Sequence, residues 1–405
     1  MGRSYGDVGL PATGGVAVQT RWFDRFLDFD AEAGTITAEA GVTLEQIVDL
    51  CLPRGWFLPV TPGTRFISVG GAIASNVHGK NHHHAGAIVN FIESLELLSE
   101  GGVLGCSRTV NPDVFFATVG GYGLTGLILR ATLRLRRVDS SLIEAKFVKA
   151  SCLEEAIEID FSSGNDYEYS VTWLDALAGV RNLGRGLVML GNHAEAERLP
   201  APLRRHGLEN RWSPTFRAPP VFPGWVLNTA SNKMLNTAYG NRFIGREKKA
   251  FVGLESWFYP LDRVLDWNRF YGRHGFVEFQ CSLPENSAQA GMRVLLSRIR
   301  KAGLGSFLAV YKRIGHDGVT LPFAVPGLTL AMDFGLRRPE VLPLLDELDR
   351  VVIDHGGRIY LSKDARMKPA TFRQMYPEYE TWREVVRKVS PRGIFRSGMS
   401  ERLGL

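Results

Sequence analysis

Histidine and glycine are unusually concentrated between residues 61 and 102, in the segment TPGTRFISVGGAIASNVHGKNHHHAGAIVNFIESLELLSEGG. Its histidines are His78, His82, His83 and His84. Histidines can bind a metal ion, or they can donate hydrogen bonds to an oxygen of a substrate or cofactor. Gly79 and Asn81 disfavour a helix that would bring His78 and His82 to one face, and no acidic residue stands beside them to complete a metal shell. The pattern therefore favours hydrogen bonding, with a metal site as the minor alternative.

Glycine is concentrated in three stretches of one half of the chain, residues 2–9, 62–71 and 120–126. A glycine-rich backbone can approach a phosphate or a flat ring closely because no side chain intervenes. No stretch ends in the GK[ST] of a P-loop, and GxGxxG does not follow a clear strand as it does in a Rossmann site. Together the stretches predict a long anionic cofactor wrapped by backbone. Residues 70–75 alone fit a glycine hairpin beside a buried small-residue strand equally well.

Composition and charge indicate a globular protein with an anionic ligand. The 405 residues predict two domains, and the formal net charge of +6 suits an anionic ligand or an anionic membrane surface. No dense basic run with interleaved aromatic residues is present, so we expect no nucleic acid partner. No apolar run is long enough for a bilayer and no signal peptide is evident, so the expected location is cytoplasmic or peripherally membrane-associated. The four cysteines form no CxxC pair, which disfavours a zinc site or a disulfide framework.

Short strands and helices are predicted in an α+β arrangement rather than a regular βαβ alternation. The first part contains the predicted strands GGVAVQT, TITAEAGVT and SLELLS, and the amphipathic helix LEQIVDLCLPRGW, which ends at Pro53 and Gly55. Beyond about residue 141, strand-like segments alternate with helices and predict an open sheet covered on one face. These segments are YEYSVTWLDAL, ESWFYPLD, FVEFQCSLP, FLAVYKRIG and LTLAMDF. Residues 199–225 are predicted to form an irregular excursion, a candidate flap over a site.

Several motifs resemble the FAD domain of the vanillyl-alcohol-oxidase-type flavoproteins. They are GRSYGD, TPGTRFISVGGAIASNVHGKNHH and FFATVGGYGLTGLI. Within that group, HGKNHH and SKDARM are most similar to the decaprenylphosphoryl-β-D-ribose 2′-oxidase family. The similarity continues to the C-terminal MYPEYETWREVVRKVSPRGIFRSGMSERL and covers nearly the whole chain.

The resemblance implies a fold and a reaction. The fold is α+β, with a two-subdomain, PCMH-type FAD-binding domain (residues 1–141 and 358–405). A substrate domain (residues 142–357) has an antiparallel sheet covered by helices. The implied reaction oxidises C2 of a polyprenyl-phospho-ribose to the 2-keto sugar. An NADH-dependent short-chain reductase partner would then complete the epimerisation to arabinose.

The resemblance also assigns cofactor contacts to the glycine-rich stretches. The residues that it places against FAD are Gly2, Arg3, Ser4, Tyr5, Gly6, Asp7, Pro62, Gly63, Thr64, Gly70, Gly71, Ala72, Ala74, His78, Gly79, Asn81, Gly121, Gly123, Thr125, Gly126 and Tyr360. Arg3 stands where many relatives carry a histidine that is covalently bonded to the flavin, so we expect FAD to be held non-covalently.

Catalysis is assigned to His78 and Lys363, which resemble the polar pair that faces the flavin and the sugar. A lysine desolvated against the flavin would have a lowered pKa and could accept the hydroxyl proton. The substrate-binding set is Tyr259, Gln280, Lys312, Lys363 and Trp173, with Lys312 a candidate for the lipid phosphate. From the residues alone, a solvated position for Lys363 and core packing for Tyr259 and Trp173 are the ordinary alternatives.

The sequence also departs from the family. Members usually carry about one further strand–helix–strand unit before the first glycine stretch, and weaker FAD binding is expected without it. Glu278 stands where relatives carry glutamine, which would alter the sugar contacts. Ala331 stands where some relatives carry cysteine, so inhibitors directed at that thiol should fail.

Other functions remain open at the level of sequence. The first is oxidation of a soluble aldonolactone or alditol, in the manner of D-arabinono-1,4-lactone oxidase, because a fold does not fix a substrate. The second is a cofactor-free binding protein, and a metal hydrolase built on the histidines ranks last.

Overall fold

Two antiparallel sheets organise the chain in the computed structural model, which describes residues 1–204, 207–210, 212–223, 226–306 and 308–405. The strands are β1 Phe26–Asp30, β2 Thr35–Glu39, β3 Trp56–Phe57, β4 Ile92–Ser99, β5 Gly102–Ser107, β6 Leu127–Arg134, β7 Arg136–Arg137, β8 Leu142–Ala150, β9 Tyr169–Leu174, β10 Gly186–His193, β11 Phe216–Arg217, β12 Glu247–Gly253, β13 Val264–Leu265, β14 Phe276–Pro284, β15 Ala309–Ile314, β16 Gly327–Gly335 and β17 Arg358–Ile359. The α-helices are α1 Leu44–Cys51, α2 Val69–Ala74, α3 His82–Ala85, α4 Pro112–Thr118, α5 Leu153–Ser163, α6 Ala201–Arg204, α7 Thr229–Gly240, α8 Leu254–Phe258, α9 Glu285–Ala302, α10 Val341–Asp354, α11 Pro369–Met375, α12 Tyr379–Val389 and α13 Gly398–Leu403.

The smaller sheet has five strands in the order β1-β2-β6-β4-β5, and its neighbours all run antiparallel. Helix α1 begins where sequence patterning predicts it, because Thr43 and Gln46 form a reciprocal capping box. A short 3₁₀ turn follows it and ends at Gly55, whose φ of +78° favours glycine.

Helix α2 is formed by the small-residue run that the sequence predicts as a bare loop or a strand. Ser68 caps it by accepting a hydrogen bond from the Gly71 N–H at 3.3 Å. The alternative of a glycine hairpin beside a small-residue strand is therefore wrong. The small residues of this helix allow close packing, since a Cβ on Gly70 would lie only 2.9 Å from the Ala40 Cβ.

The larger sheet has eight strands in the order β12-β8-β10-β9-β15-β16-β14-β17. Helices α5, α9 and α10 pack against this sheet. Helix α9 runs for 18 residues and ends at Gly303, with φ of +65°. Its buried face includes Met292, Leu295, Leu296 and Ile299. One face of the sheet is thereby buried in a hydrophobic core, as the alternation of strands and helices predicts.

The C-terminal segment returns to the smaller sheet. Trp382 Nε1 donates to the Ala117 carbonyl at 3.0 Å, and Ser390 Oγ donates to Glu100 at 2.6 Å. The division at residues 141 and 358 stays a proposal. Strands β7 and β8 flank the first boundary, whereas β17 pairs with β14 of the larger sheet.

Two predicted strands are wrong. Residues 14–20 form no strand, and Val16 and Val18 are exposed, so their alternation buries no face. The first half of the segment ESWFYPLD folds as the end of α8, in which Trp257 and Phe258 are buried. The predicted flap over residues 199–225 lies partly outside the described residues. Its described part contains α6 and the two-residue strand β11, which pairs with β13.

Candidate functional site

Polar side chains on one face of the larger sheet form the candidate site. The directly opposed pairs on this face are Glu278 with Asp333, Gln280 with Ala331, and Lys312 with Thr329. Opposed residues of antiparallel strands share a face, and alternate residues point to opposite faces. Val277, Phe279 and Cys281 therefore point to the helix-covered core, where they are buried. The register of three strands thus brings acid, amide and amine groups together.

Gln280 connects this face to the histidine segment. Its Nε2 donates to His78 Nε2 at 2.9 Å and to Thr329 Oγ1 at 3.2 Å. The His78 ring packs against Phe323, at a ring distance of 5.6 Å, and against Tyr360, at 5.2 Å, and those two rings also contact each other. Burial, followed by the charge of Lys312, holds the pKa of His78 well below its usual range. His78 is therefore a neutral acceptor toward Gln280, and the structure brings both predicted residues into contact.

Lys363 is ion-paired rather than solvated. Its Nζ lies 2.9 Å from Glu278 Oε2 and 3.7 Å from the centroid of the Tyr5 ring. The side chain is only 22% exposed. Lys363, in the loop after β17, thus contacts both the first glycine stretch through Tyr5 and the larger sheet through Glu278.

Two further lysines give the site a cationic side. Lys312 is half-buried, and burial followed by the charge of Lys363 lowers its pKa to about 8. Lys80 is also half-buried, its Nζ donates to the Phe258 carbonyl at 3.3 Å, and burial followed by Lys312 lowers its pKa to about 7. Sequence analysis predicts a lysine with a lowered pKa at this site, and burial lowers the pKa values of Lys80 and Lys312. The pair is suited to a buried anion such as a phosphate.

The three glycine-rich stretches pack against common neighbours. The N–H groups of Gly120 and Tyr122 donate to the carbonyls of Ile73 and Ala74, at 3.0 and 2.9 Å, which docks the third stretch on α2. The guanidinium of Arg3 lies 5.3 Å from the centroid of the Phe66 ring, which brings the first stretch to the second. These contacts assemble loops that are far apart in sequence.

The glycines of these stretches have two different roles. A Cβ on Gly6, Gly121 or Gly126 would overlap the backbone of Asp364, Ala117 or Leu98 respectively. Apart from local backbone, no atom of the described residues lies within 4 Å of the Cβ position at Gly63 or Gly123, and at Gly71 only Ser68 Oγ does, at 3.2 Å. The first group is required for packing, whereas the second leaves open backbone that fits an extended or planar ligand.

Buried polar atoms near these stretches also lack partners. Asn76 Nδ2 and Asn81 Oδ1 are buried, and neither has a hydrogen-bond partner among the described residues. Asn81 Nδ2 donates to the Pro59 carbonyl at 2.8 Å, so that side chain is fixed with its oxygen unused. A buried polar atom without a partner is costly, and a polar ligand would satisfy it. The residues present therefore fit a cofactor with several hydrogen-bonding groups.

Tyr259 and Trp173 lie farther from this polar centre. Tyr259 is completely buried, and its hydroxyl is 2.7 Å from Thr61 Oγ1, beside the predicted cofactor loop at Pro62. Trp173 lies opposite Val310, whose other neighbour is Ala331, so it shares the polar face of the sheet. Its ring is 4.8 Å from that of Tyr239 in α7. Substrate contacts for both residues stay predictions.

Sequence analysis missed Lys80, Asp333 and Tyr271 as members of the site. Lys80 lies within the HGKNHH motif, which could have singled it out. Asp333 and Tyr271 carry no local signal. Tyr271 OH lies 3.4 Å from Asp333 Oδ2, a contact set by strand register and by a distant 3₁₀ turn.

Within the histidine cluster, both ring nitrogens of His82 have protein partners. His82 Nδ1 accepts from the Gly315 N–H at 2.8 Å, and its Nε2 is 3.2 Å from Asp317 Oδ1. No group of three potential metal-ligating side chains occurs in the described part of the chain. Likewise, the helices among the described residues include none that is both long and apolar enough to span a bilayer.

Comparison with known proteins gives this geometry a family. Residues 1–107 match a family described as FAD binding domain. The chain is 35% identical to decaprenylphosphoryl-beta-D-ribose oxidase of Mycolicibacterium smegmatis, over 100% of this chain and 88% of the relative. It is 33% identical to an uncharacterized protein of Streptomyces coelicolor, over 90% of this chain and 100% of the relative. L-gulonolactone oxidase 5 of Arabidopsis thaliana is 27% identical over 43% of this chain and 32% of the relative.

These matches confirm the resemblance drawn from the motifs and the α+β, PCMH-type fold class. FAD is the cofactor, and the chain is an oxidoreductase that acts on CH–OH groups. The chain belongs to the decaprenylphosphoryl-β-D-ribose oxidase family of vanillyl-alcohol-oxidase-type FAD-dependent oxidoreductases.

Proposed function

We propose that this enzyme oxidises C2 of a polyprenyl-phospho-ribose to the 2-keto sugar, as the first half of an epimerisation to arabinose. The observation that carries the proposal is the half-buried lysine pair, Lys80 and Lys312, beside the polar pair His78 and Gln280. A phosphate diester would offset the repulsion between the two amines. A neutral sugar would leave them uncompensated.

Each polar residue has a definable task in this reaction. FAD, when bound, supplies the two-electron acceptor for the hydride that leaves C2. Lys363 accepts the proton of the C2 hydroxyl in its neutral amine form, so the carbon loses a hydride and the oxygen loses a proton. His78, which is neutral and held by Gln280, orients a sugar hydroxyl by hydrogen bonding. Lys312, with Lys80 behind it, binds the phosphate.

The product defines a partner by its chemistry. A 2-keto sugar becomes the epimeric alcohol only when a hydride is returned to the opposite face. An NADH-dependent short-chain reductase would supply that step. A polyprenyl substrate would also require contact with a lipid surface, which is in keeping with a peripheral membrane location.

Oxidation of a soluble aldonolactone is the second candidate. Its support is the similarity to L-gulonolactone oxidases, which covers less than half of this chain. The lysine pair favours the phosphorylated substrate, because a neutral lactone has no charge for it to bind.

Lys312→Gln should distinguish the two substrates. Under anaerobic conditions, farnesyl-phospho-ribose should bleach the flavin of the parent enzyme, and aldonolactones should not. A hydrogen bond to a charged group contributes about 1.5–3 kcal/mol, so the variant should need roughly 10- to 100-fold more substrate for half-maximal bleaching. Because the pKa of Lys312 is about 8 in the free enzyme, parent affinity should weaken as pH rises through that value. Bleaching by lactones alone would contradict the proposed substrate.

Lys363→Ala should retain FAD yet lose flavin reduction. Removing a general base typically slows a reaction by ~10²–10⁴-fold. The matched control is Lys368→Ala, five positions away, where the side chain is 72% exposed. Stopped-flow reduction should be slow in the first variant and normal in the second. Normal reduction in both would transfer the proton-accepting role to another group.

Gly71→Val should remove FAD binding without destabilising the FAD-free protein, because outside the local backbone only Ser68 Oγ, among the described residues, lies within 4 Å of the added Cβ. Gly121→Ala is the packing control, since its Cβ would overlap the Ala117 backbone and lower the melting temperature with or without FAD. Added FAD should raise the melting temperature of the parent but not that of Gly71→Val, because a ligand stabilises by RT ln(1 + [L]/Kd). Equal FAD-dependent shifts in Gly71→Val and parent would show that residues 70–74 do not contact the cofactor.

The flavin should be released on denaturation, because Arg3 occupies the position of the linking histidine in many relatives. Trichloroacetic acid precipitation should leave all yellow colour in the supernatant. Colour in the washed pellet would demonstrate a covalent bond.

A further inference from the structure

Two carboxyl groups face each other at the edge of the site, and the proposed reaction gives a task to neither. Glu278 and Asp333 are directly opposed on β14 and β16, which places their Cβ atoms roughly 4.5–5.5 Å apart. The Glu278 side chain is 11% exposed, and Asp333 is 6% exposed. Two carboxylates this close and this buried cannot both be charged without a large cost.

The surroundings of the two carboxyl groups are not equivalent. Glu278 Oε2 forms an ion pair with the Lys363 ammonium at 2.9 Å, whereas Asp333 Oδ2 accepts a hydrogen bond from the Tyr271 phenol at 3.4 Å. Burial, followed by repulsion from Glu278, holds the pKa of Asp333 well above its usual range, although Lys363 opposes this. Glu278 is therefore the carboxyl group that is paired with Lys363, and the raised pKa of Asp333 favours its protonated form.

The charge on Glu278 also fixes the place of Lys363. The ammonium lies over the Tyr5 ring, and the ion pair with Glu278 holds it there. The cation–π contact and the ion pair both favour the charged form of the amine. Lys363 must be neutral to accept a proton, so the strength of this pair governs when it can act.

We propose that Glu278 is the positioning residue for Lys363, and that its carboxylate holds the amine over the Tyr5 ring, where Lys363 accepts the substrate proton. This inference rests on the proposed function of Lys363. After proton transfer, the same carboxylate stabilises the new ammonium, and no further reactant is needed. A neutral glutamine at position 278 would remove that stabilisation.

Other titratable groups around Glu278 leave this assignment intact. The groups that interact with it from the elements packed against it are Tyr5, Tyr271, Lys312, Asp333, Tyr360 and Lys363. The pKa values of the three tyrosines are raised by burial, which leaves the phenols neutral. Lys312 is the remaining cation that interacts with Glu278, but the ion pair at 2.9 Å is formed by Lys363.

The test compares two carboxyl-to-amide variants of the opposed pair, Glu278→Gln and Asp333→Asn. Lysine Cε-labelled, FAD-loaded enzyme without substrate would be titrated by carbon-13 NMR, and the Lys363 signal assigned by its loss in Lys363→Gln. An opposite charge in contact typically shifts a titration by about 1–3 pH units. The Lys363 signal should titrate at least about 1 pH unit lower in Glu278→Gln, and as in the parent in Asp333→Asn.

Kinetics give the second readout. The acid limb of flavin reduction should move to lower pH in Glu278→Gln, and its high-pH plateau should fall because the base is weaker. Glu278→Asp keeps the charge on a shorter side chain, so it should retain the parent pH limb while lowering the maximal rate. The shortened variant also covers the case in which the glutamine variant does not fold.

Two outcomes would overturn the inference. An unchanged Lys363 titration in Glu278→Gln would reduce the ion pair to a structural contact. An equal shift in Asp333→Asn would show that Asp333 carries the charge. The NMR titration needs no substrate, so it can succeed even if polyprenyl-phospho-ribose fails to reduce the flavin, which would contradict only the proposed function.

Discussion

The register of β14 between β16 and β17 is the constraint on which the site depends. Side chains alternate between the two faces of a strand, so a slip of one residue would send Glu278 and Gln280 into the helix-covered core. It would also expose Phe279 and Cys281, which are now buried there. The hydrophobic core under α9 and α10 therefore fixes the chemistry indirectly. Burial of one face determines which residues the opposite face presents to the substrate.

The electrostatics of that face follow from its composition. Lys80, Lys312 and Lys363 approach one another beside a carboxyl pair in which the pKa of Asp333 is held well above its usual range by burial. Uncompensated buried charge is expensive, and the lowered pKa values of Lys80 and Lys312 show the cost in the free enzyme. An anionic ligand would reverse that cost and draw a proton to Lys80. The free site thus holds repelling cations that an anionic ligand would stabilise.

The sequence predicted those helices and strands whose caps and apolar spacing lie within a few neighbouring residues. Helix α1 was predictable because its capping box and apolar spacing lie within a dozen residues, and β14 because its alternation is regular. Helix α2 was not, since small residues suit a loop, a strand or a helix, and Ser68 decides among them. Residues 14–20 alternate like a strand but find no partner strand.

The long-range pairing of Glu278 with Asp333 has no sequence signature. The family resemblance supplied Gln280 and Lys363, but it could not supply the ion pair between Glu278 and Lys363.

The first glycine stretch shows why a cofactor motif cannot be interpreted one residue at a time. Gly6 packs directly against the Asp364 carbonyl, next to Lys363, in a contact that no side chain would permit. The Tyr5 N–H donates to the Ser362 carbonyl at 3.2 Å, and Arg402 bridges Asp7 and Asp364 at 2.7 and 2.8 Å. The stretch assigned to FAD and the loop assigned to catalysis are therefore one packed unit. A change in either element would therefore displace the Tyr5 ring, which lies 3.7 Å from the Lys363 amine.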